Sequence, residues 1–248
     1  MEFLDCNLSY GPATMKGELP GCPDVGELRK QLDRAGTSGG LVYYAIQEPL
    51  LGNAAIARDI AGMPDLFGVW SLLPSCTGEI PPPDKLPAAM KQNGAAALTL
   101  DPQNNRFLAK ASAIGDYLAM AQERSIPVWF HTGRGLTLEQ IDELMGAYPK
   151  LTAILTYANC WPSDRQLRPF LDAYPNLYLD MAYMQTAAGL SDIVGVYSGR
   201  RVLFGSAYPE CYPGAHIMVI KHAGIDDGDK ALIAGGNLRR ILGEAQYD

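Results

Sequence analysis

Eight short apolar runs, separated by segments of helical character, limit how this chain can fold more than any other feature. They are Glu2–Cys6, Gly40–Ala45, Leu66–Leu73, Ala95–Leu100, Pro127–Phe130, Leu151–Thr156, Asn176–Met181 and Arg201–Phe204. Each run and the segment after it occupy roughly 25 to 35 residues, the size of a β-strand with its crossover helix. Val69-Trp-Ser-Leu-Leu73 and Ala153-Ile-Leu155 are apolar almost throughout, which suits parallel strands covered on both faces. Between the runs, Asp24-Val-Gly-Glu27, Thr137-Leu-Glu-Gln140 and Ser163-Asp-Arg-Gln166 have capping-box spacing and predict helices over Glu27–Ala35, Leu138–Ala147 and Asp164–Ala173. Arg106–Glu123 predicts another, Pro149 and Pro175 stop helices ahead of strands, and Pro81-Pro-Pro83 marks a stiff loop. Eight strand–helix units in 248 residues predict an α/β chain forming one (β/α)8 TIM-barrel domain over residues 1–248. A doubly wound open sheet is the alternative, weakened because no Gly-x-Gly-x-x-Gly turn follows the first run.

Composition narrows the function classes. With 20 Lys and Arg against 27 Asp and Glu, and no basic run longer than two residues, the chain is a poor match for phosphate backbones, so no nucleic-acid partner is expected. Charges interrupt every apolar run before membrane-spanning length, and the N-terminus lacks the basic-then-apolar pattern of a leader, so no membrane is expected and the expected location is cytoplasmic. The five cysteines, Cys6, Cys22, Cys76, Cys160 and Cys211, are odd in number with no C-x-x-C pair, and read as buried or bystander thiols rather than a disulfide or zinc framework.

In such a barrel the chemistry belongs at the C-terminal ends of the strands. Those ends read Asp5-Cys-Asn7-Leu-Ser9, Thr99-Leu-Asp101, His131-Thr-Gly-Arg134, Thr156-Tyr157-Ala-Asn159, Asp180-Met-Ala-Tyr183 and Gly205-Ser-Ala-Tyr208-Pro-Glu210. Side chains alternate along a strand, so Asp5, Asn7 and Ser9 are expected on one face and Cys6 on the other.

Several of these segments resemble the signature strands of the amidohydrolase superfamily, in its amidohydrolase-2, lactonase-like branch. Leu4-Asp5-Cys-Asn-Leu-Ser-Tyr-Gly11 resembles the opening Asp-x-His-x-His, and Pro127-Val-Trp-Phe-His131-Thr-Gly133 resembles Pro-Val-x-x-His-Thr-Gly. Ala153-Ile-Leu-Thr-Tyr157 is similar to Ile-Leu-x-His, Arg201-Val-Leu-Phe-Gly-Ser-Ala-Tyr-Pro209 to Arg-Val-Leu-Phe-Gly-Ser-Asp-Tyr-Pro, and Ile233-Ala-Gly-Gly-Asn-Leu-Arg-Arg-Ile-Leu-Gly243 to the terminal helix. The resemblance implies a divalent metal held by five positions that here read Asn7, Ser9, His131, Tyr157 and Ala207. A single imidazole in that set is expected to hold no metal, and no other cofactor is expected. The resemblance also places the water-activating aspartate at Ala207, whose methyl cannot take a proton.

The expected function is therefore a metal-independent hydrolase, or a decarboxylase or lactonase-like enzyme, acting on a small organic molecule. The alternatives are a non-catalytic barrel that binds a ligand, or a partner of an active relative, and a metalloenzyme with a relocated site using His131, Asp101, Asp180 or Glu210. The candidate catalytic residues are His131 as proton carrier, Asp101 and Asp180 as carboxyls expected to share the pocket with Asp5, where mutual repulsion and burial would lift the pKa of one of the three, and Tyr157 as donor to a carbonyl. Candidate substrate contacts are Asp5, Asn7, Ser9, Arg134 as a carboxylate clamp, Tyr208 and Glu210. Each has a plainer reading as a buried, capping or solvated residue. His216 and His222 read as helix-packing or surface residues, and Trp129 as core. A homodimer is compatible with the resemblance.

Overall fold

A computed structural model describes residues 1–12, 21–46, 48–159 and 162–248, and Cys160 lies outside them. The eight strands are β1 (Leu4–Tyr10), β2 (Gly39–Tyr44), β3 (Leu66–Ser71), β4 (Ala95–Thr99), β5 (Val128–His131), β6 (Ala153–Thr156), β7 (Leu177–Asp180) and β8 (Val202–Leu203). They pair in chain order, all in parallel. Past β8 the chain runs on beside β1. Cys6 N–H donates to the Phe204 carbonyl at 2.8 Å and Ser9 N–H to that of Tyr208 at 2.9 Å, and Leu8 bridges Tyr208 in parallel. These bonds close the (β/α)8 barrel that the strand–helix rhythm predicts.

Helices follow the strands: α1 (Val25–Ala35), α2 (Pro49–Asp59), α3 (Leu86–Gln92), α4 (Ala111–Glu123), α5 (Leu138–Ala147), α6 (Asp164–Ala173), α7 (Gly189–Tyr197), α8 (Pro213–His222), α9 (Asp227–Ala231) and α10 (Asn237–Glu244). The Asp24 carboxylate accepts from Glu27 N–H at 2.8 Å, and Thr137 and Gln140 complete both halves of a capping box on α5. Two expectations need correction. Ser163 precedes α6 with helical backbone (φ −68°, ψ −21°), so its hydroxyl makes no cap bond. The helix expected from Arg106 begins at Ala111, because Arg106 sits at φ 54° and closes a turn over residues 102–106, after which residues 107–110 are irregular.

Two apolar layers build the molecule. Leu4, Cys6, Leu41, Tyr43, Val69, Ala97, Trp129, Ile154, Tyr178 and Leu203 fill the barrel interior, while the alternate residues of each strand pack outward against the helices. Inward-facing Trp129, Tyr178 and Leu203 thereby set the phase that points His131, Asp180 and Gly205, two residues further on, into the mouth. Among the described residues no helix is long and apolar enough to cross a membrane.

Candidate active site

On β1 the simple alternation fails. The pairing advances from Asp5↔Gly40 to Leu8↔Val42, three residues on β1 against two on β2, so β1 carries a bulge. Leu4 and Cys6 lie in the interior layer and Leu8 and Tyr10 in the outer one. Leu4 and Cys6 precede the extra residue and share the interior, so Cys6 still opposes Asp5, but the bulge lets Asn7 turn inward beside Cys6, which breaks the single face expected for Asp5, Asn7 and Ser9. Burial and the neighbouring Asp180 and Asp5 push the Cys6 thiol well up, which leaves it unreactive.

The bulge assembles a buried seam across β1, β7 and β8. Asn7 Nδ2 donates to Asp180 Oδ2 at 2.7 Å, and Ala182 N–H donates to Asp180 Oδ1 at 2.9 Å. Asp5 Oδ1 accepts from Asn7 N–H at 2.9 Å and Ser206 N–H at 3.0 Å. Both aspartates are fully buried. Burial pushes the Asp5 carboxyl up to about 8 against the pull of its Ser206 and Asn7 donors, with the Asp180 charge adding to the rise. Burial also raises Asp180, to about 6, while Asn7, the Ala182 amide and His216 draw it back. Burial thus raises both carboxyls, and Asp5 the more strongly, because it also feels the Asp180 charge while Asp180 is drawn back by its Asn7 and Ala182 donors and by His216. Gly205 makes room for this: a Cβ there would stand 2.0 Å from Asp180 Oδ1.

A second cluster lies at the ends of β5 and β6. The His131 ring meets Trp129 edge to face at 5.3 Å and packs at a tilt of 40° against Tyr157 at 4.4 Å, and Tyr157 packs at 37° against Tyr183 at 4.4 Å. The Tyr157 and Tyr183 hydroxyls both donate to Glu210 Oε2, the latter at 2.8 Å. Burial and this carboxylate push Tyr157 up to about 12 and Tyr183 further, so both remain hydroxyl donors. Tyr157 and Ala207 hold left-handed backbone, at φ 64° and 55°. Non-glycine residues rarely adopt that region, and it concentrates at functional turns. The Arg134 guanidinium lies 3.5 Å over the Tyr43 ring and 5.5 Å from that of Trp129, a cation stacked at the rim.

The remaining candidates are placed as follows. Asp101, fully buried beyond β4, is engaged by Asn104 Nδ2 at 3.0 and 2.9 Å. Ser9 donates to the Tyr208 carbonyl at 3.3 Å, and half-buried Tyr208 helps close the barrel. His222 is exposed, whereas His216 is buried in α8 with Nε2 2.8 Å from the Ala182 carbonyl. Tyr183, Tyr43 and Gly205 were not singled out from the sequence. Tyr183 had a signal, since it ends the same Asp180-Met-Ala-Tyr183 segment, but its partner Glu210 is distant in the chain.

Fold and site define a parallel α/β barrel with a polar, aromatic C-terminal mouth. The chain belongs to the amidohydrolase family: the family model described as Amidohydrolase (Amidohydro_2) matches residues 35–243. Among solved structures it is similar to an uncharacterized TIM-barrel protein from Bordetella bronchiseptica, with 20% identity, a TM-score of 0.72, and 98% of this chain and 99% of that one covered. It is also similar to 2,6-dihydroxybenzoate decarboxylase from Rhizobium (14%, TM-score 0.73, 98% and 99% covered). A third is a probable 2-pyrone-4,6-dicarboxylic acid hydrolase from Acinetobacter baumannii with citric acid bound (14%, TM-score 0.69, 98% and 100% covered). At these identities the likeness is one of fold. No curated protein matches the chain in sequence.

Proposed function

We propose that this amidohydrolase-family barrel is a hydrolase, lactonase-like in relying on proton transfer, that acts on a small organic carboxylate without a divalent metal. One observation carries the reading: the His131 imidazole packs at a tilt against the Tyr157 ring, 4.4 Å between centroids, and the Tyr157 hydroxyl donates to Glu210. Two of the solved structures that it resembles are named for small carboxylated molecules, 2,6-dihydroxybenzoate and 2-pyrone-4,6-dicarboxylic acid, which supports the substrate class.

Asn7, Ser9, His131, Tyr157 and Ala207 stand at the five positions that the sequence resemblance gives to metal ligands. An amide, a hydroxyl, a neutral phenol and a methyl group do not replace imidazole and carboxylate donors. Among the described residues no group of three or more His, Cys, Asp or Glu is arranged to hold a metal ion. Asp180 gives both oxygens to N–H donors. The donor set does not fit such an ion.

In this reading Arg134, already stacked on Tyr43, holds the substrate carboxylate through its planar fork. His131 takes the proton of an attacking water as the new carbon–oxygen bond forms. Tyr157 turns its single O–H from Glu210 to the carbonyl oxygen and donates to it as negative charge develops there. Collapse of the intermediate breaks the bond to the leaving group, which receives the proton from His131. General acid–base action contributes about 10²- to 10⁴-fold and a single oxyanion donor about 10²- to 10³-fold. A decarboxylase would use the same imidazole to protonate the carbon that loses carbon dioxide.

The test is a panel of esters, lactones and carboxylates, with turnover measured for the wild-type protein and His131→Ala. A loss of about 10²-fold or more in the variant supports the assignment. Equal turnover in both removes His131 from the mechanism. Binding of panel members without any turnover would instead favour a ligand-binding barrel, the function this geometry retains if Tyr157 stays engaged by Glu210.

A further inference from the structure

We propose that Asn7 is a specificity-determining residue, whose side-chain carbonyl accepts a hydrogen bond from a hydroxyl or amine group of the bound molecule. The inference rests on reading the barrel mouth as the substrate site, and names a chemical group that the site selects.

It follows from where hydrogens can sit. Asn7 Nδ2 lies 2.7 Å from Asp180 Oδ2, and the other Asp180 oxygen takes the Ala182 N–H at 2.9 Å. A carboxylate only accepts, so the amide must turn its NH₂ to Asp180 and its Oδ1 away. The Asn7 backbone N–H is already taken by Asp5 Oδ1 at 2.9 Å. Among the described residues no donor is assigned to Asn7 Oδ1, and that atom is not among the enclosed polar atoms of the seam.

The orientation is held from behind. His216 Nε2 lies 2.8 Å and Gln185 Nε2 3.1 Å from the Ala182 carbonyl, fixing the residue whose amide holds Asp180. Gly205 leaves the space that the Asp180 carboxylate occupies in this position, since a Cβ there would stand 2.0 Å from Oδ1. What is offered to the mouth is one rigid acceptor, 5% exposed at the residue level, on the strand facing the β5 and β6 cluster across the barrel. A carboxylate or carbonyl oxygen placed there meets an oxygen, whereas a hydroxyl or amine meets an acceptor that cannot rotate. With Arg134 at the rim, the selected molecule pairs a carboxylate with a hydrogen-bond donor elsewhere on its frame.

Two measurements test this. First, the Asn7 side-chain amide is followed by ¹⁵N NMR. Protons protected from water exchange in the wild type, and losing that protection in Asp180→Asn, are expected. Protons exchanging as fast as those of exposed asparagines, or unmoved by Asp180→Asn, would overturn the orientation. Second, binding of phenylacetate and its 2-, 3- and 4-hydroxy isomers is titrated on wild-type protein and on Asn7→Ser, with turnover recorded in parallel. At least one hydroxy isomer should bind about fivefold or more tighter than phenylacetate, and the advantage should fall below about twofold in Asn7→Ser. No hydroxyl advantage, including no binding by any of the four, or an advantage that survives in Asn7→Ser, overturns the assignment. A hydroxyl advantage without turnover on any panel defeats the catalytic reading and leaves this one standing.

Discussion

Gly205→Ala is the smallest change that should damage the seam. The added methyl would lie 2.0 Å from Asp180 Oδ1, 2.7 Å from its Cγ and 3.0 Å from Cys6 Sγ. Asp180 cannot swing aside without giving up the bonds to Asn7 Nδ2 and Ala182 N–H. Overpacking costs about 1 to 3 kcal/mol, and each buried polar group left unpaired costs a similar amount, so the variant should lose roughly 3 to 6 kcal/mol. In a chain of this size that lowers Tm by about 6 to 24 °C. Urea unfolding followed by circular dichroism gives the free energy directly. Gly195→Ala is the control: it lies in α7 with nothing within 4 Å of the new methyl, and should gain about 0.5 to 1 kcal/mol. In an Asp180→Ala background the clash with the carboxylate is gone, and the further cost of Gly205→Ala should fall to about 1 kcal/mol. A Gly205→Ala protein within about 1 kcal/mol of wild type, or a full cost that persists without the Asp180 carboxylate, would refute the packing argument.

Other expectations follow from the same contacts. The Asp5 carboxyl is raised in the folded state, so between its unfolded value near 4 and about 8 the native protein binds the extra proton, and stability falls as pH rises through that window. Asp180 adds to the slope only up to about 6, so Asp5→Asn should flatten a decline of up to about 1.4 kcal/mol per pH unit between pH 6.5 and 8, as read by urea titrations at each pH. Asn237→Ala removes the buried bonds to the Gly199 and Val202 carbonyls and should cost about 2 to 3 kcal/mol in the same assay. Tyr157→Phe keeps the ring stack and removes the donor, so turnover on any active substrate should drop about 10²-fold while binding changes little. Thr137→Ala removes half of the α5 capping box and should cost about 1 kcal/mol.

Most of the barrel was legible because the information is local. Each apolar run marks a strand whose period-two pattern fixes which residues face inward, and His131 and Asp180 at the mouth follow from Trp129 and Tyr178 by counting. Two kinds of feature were not local. The β1 bulge depends on pairing with β2, and nothing in Leu4-Asp-Cys-Asn-Leu-Ser-Tyr10 announces that Cys6 and Asn7 both turn inward. The Tyr157–Glu210–Tyr183 contact joins three strand ends far apart in the chain, so although Tyr183 ends the Asp180 segment, nothing local pairs it with Glu210. Arg106 shows the third limit: apolar spacing suggested helix from there, but its left-handed turn belongs to the loop that Asp101 and Asn104 organise.

Elemental analysis of protein purified without chelator, run beside His131→Ala, bears most directly on the central claim that the mouth does its proton chemistry unaided by a metal. Well under a tenth of an equivalent of zinc, manganese or iron per chain, with turnover unchanged by dipicolinate, is the expected result. About one equivalent of a divalent ion that disappears with His131→Ala, together with turnover that the chelator abolishes and the ion restores, would contradict it.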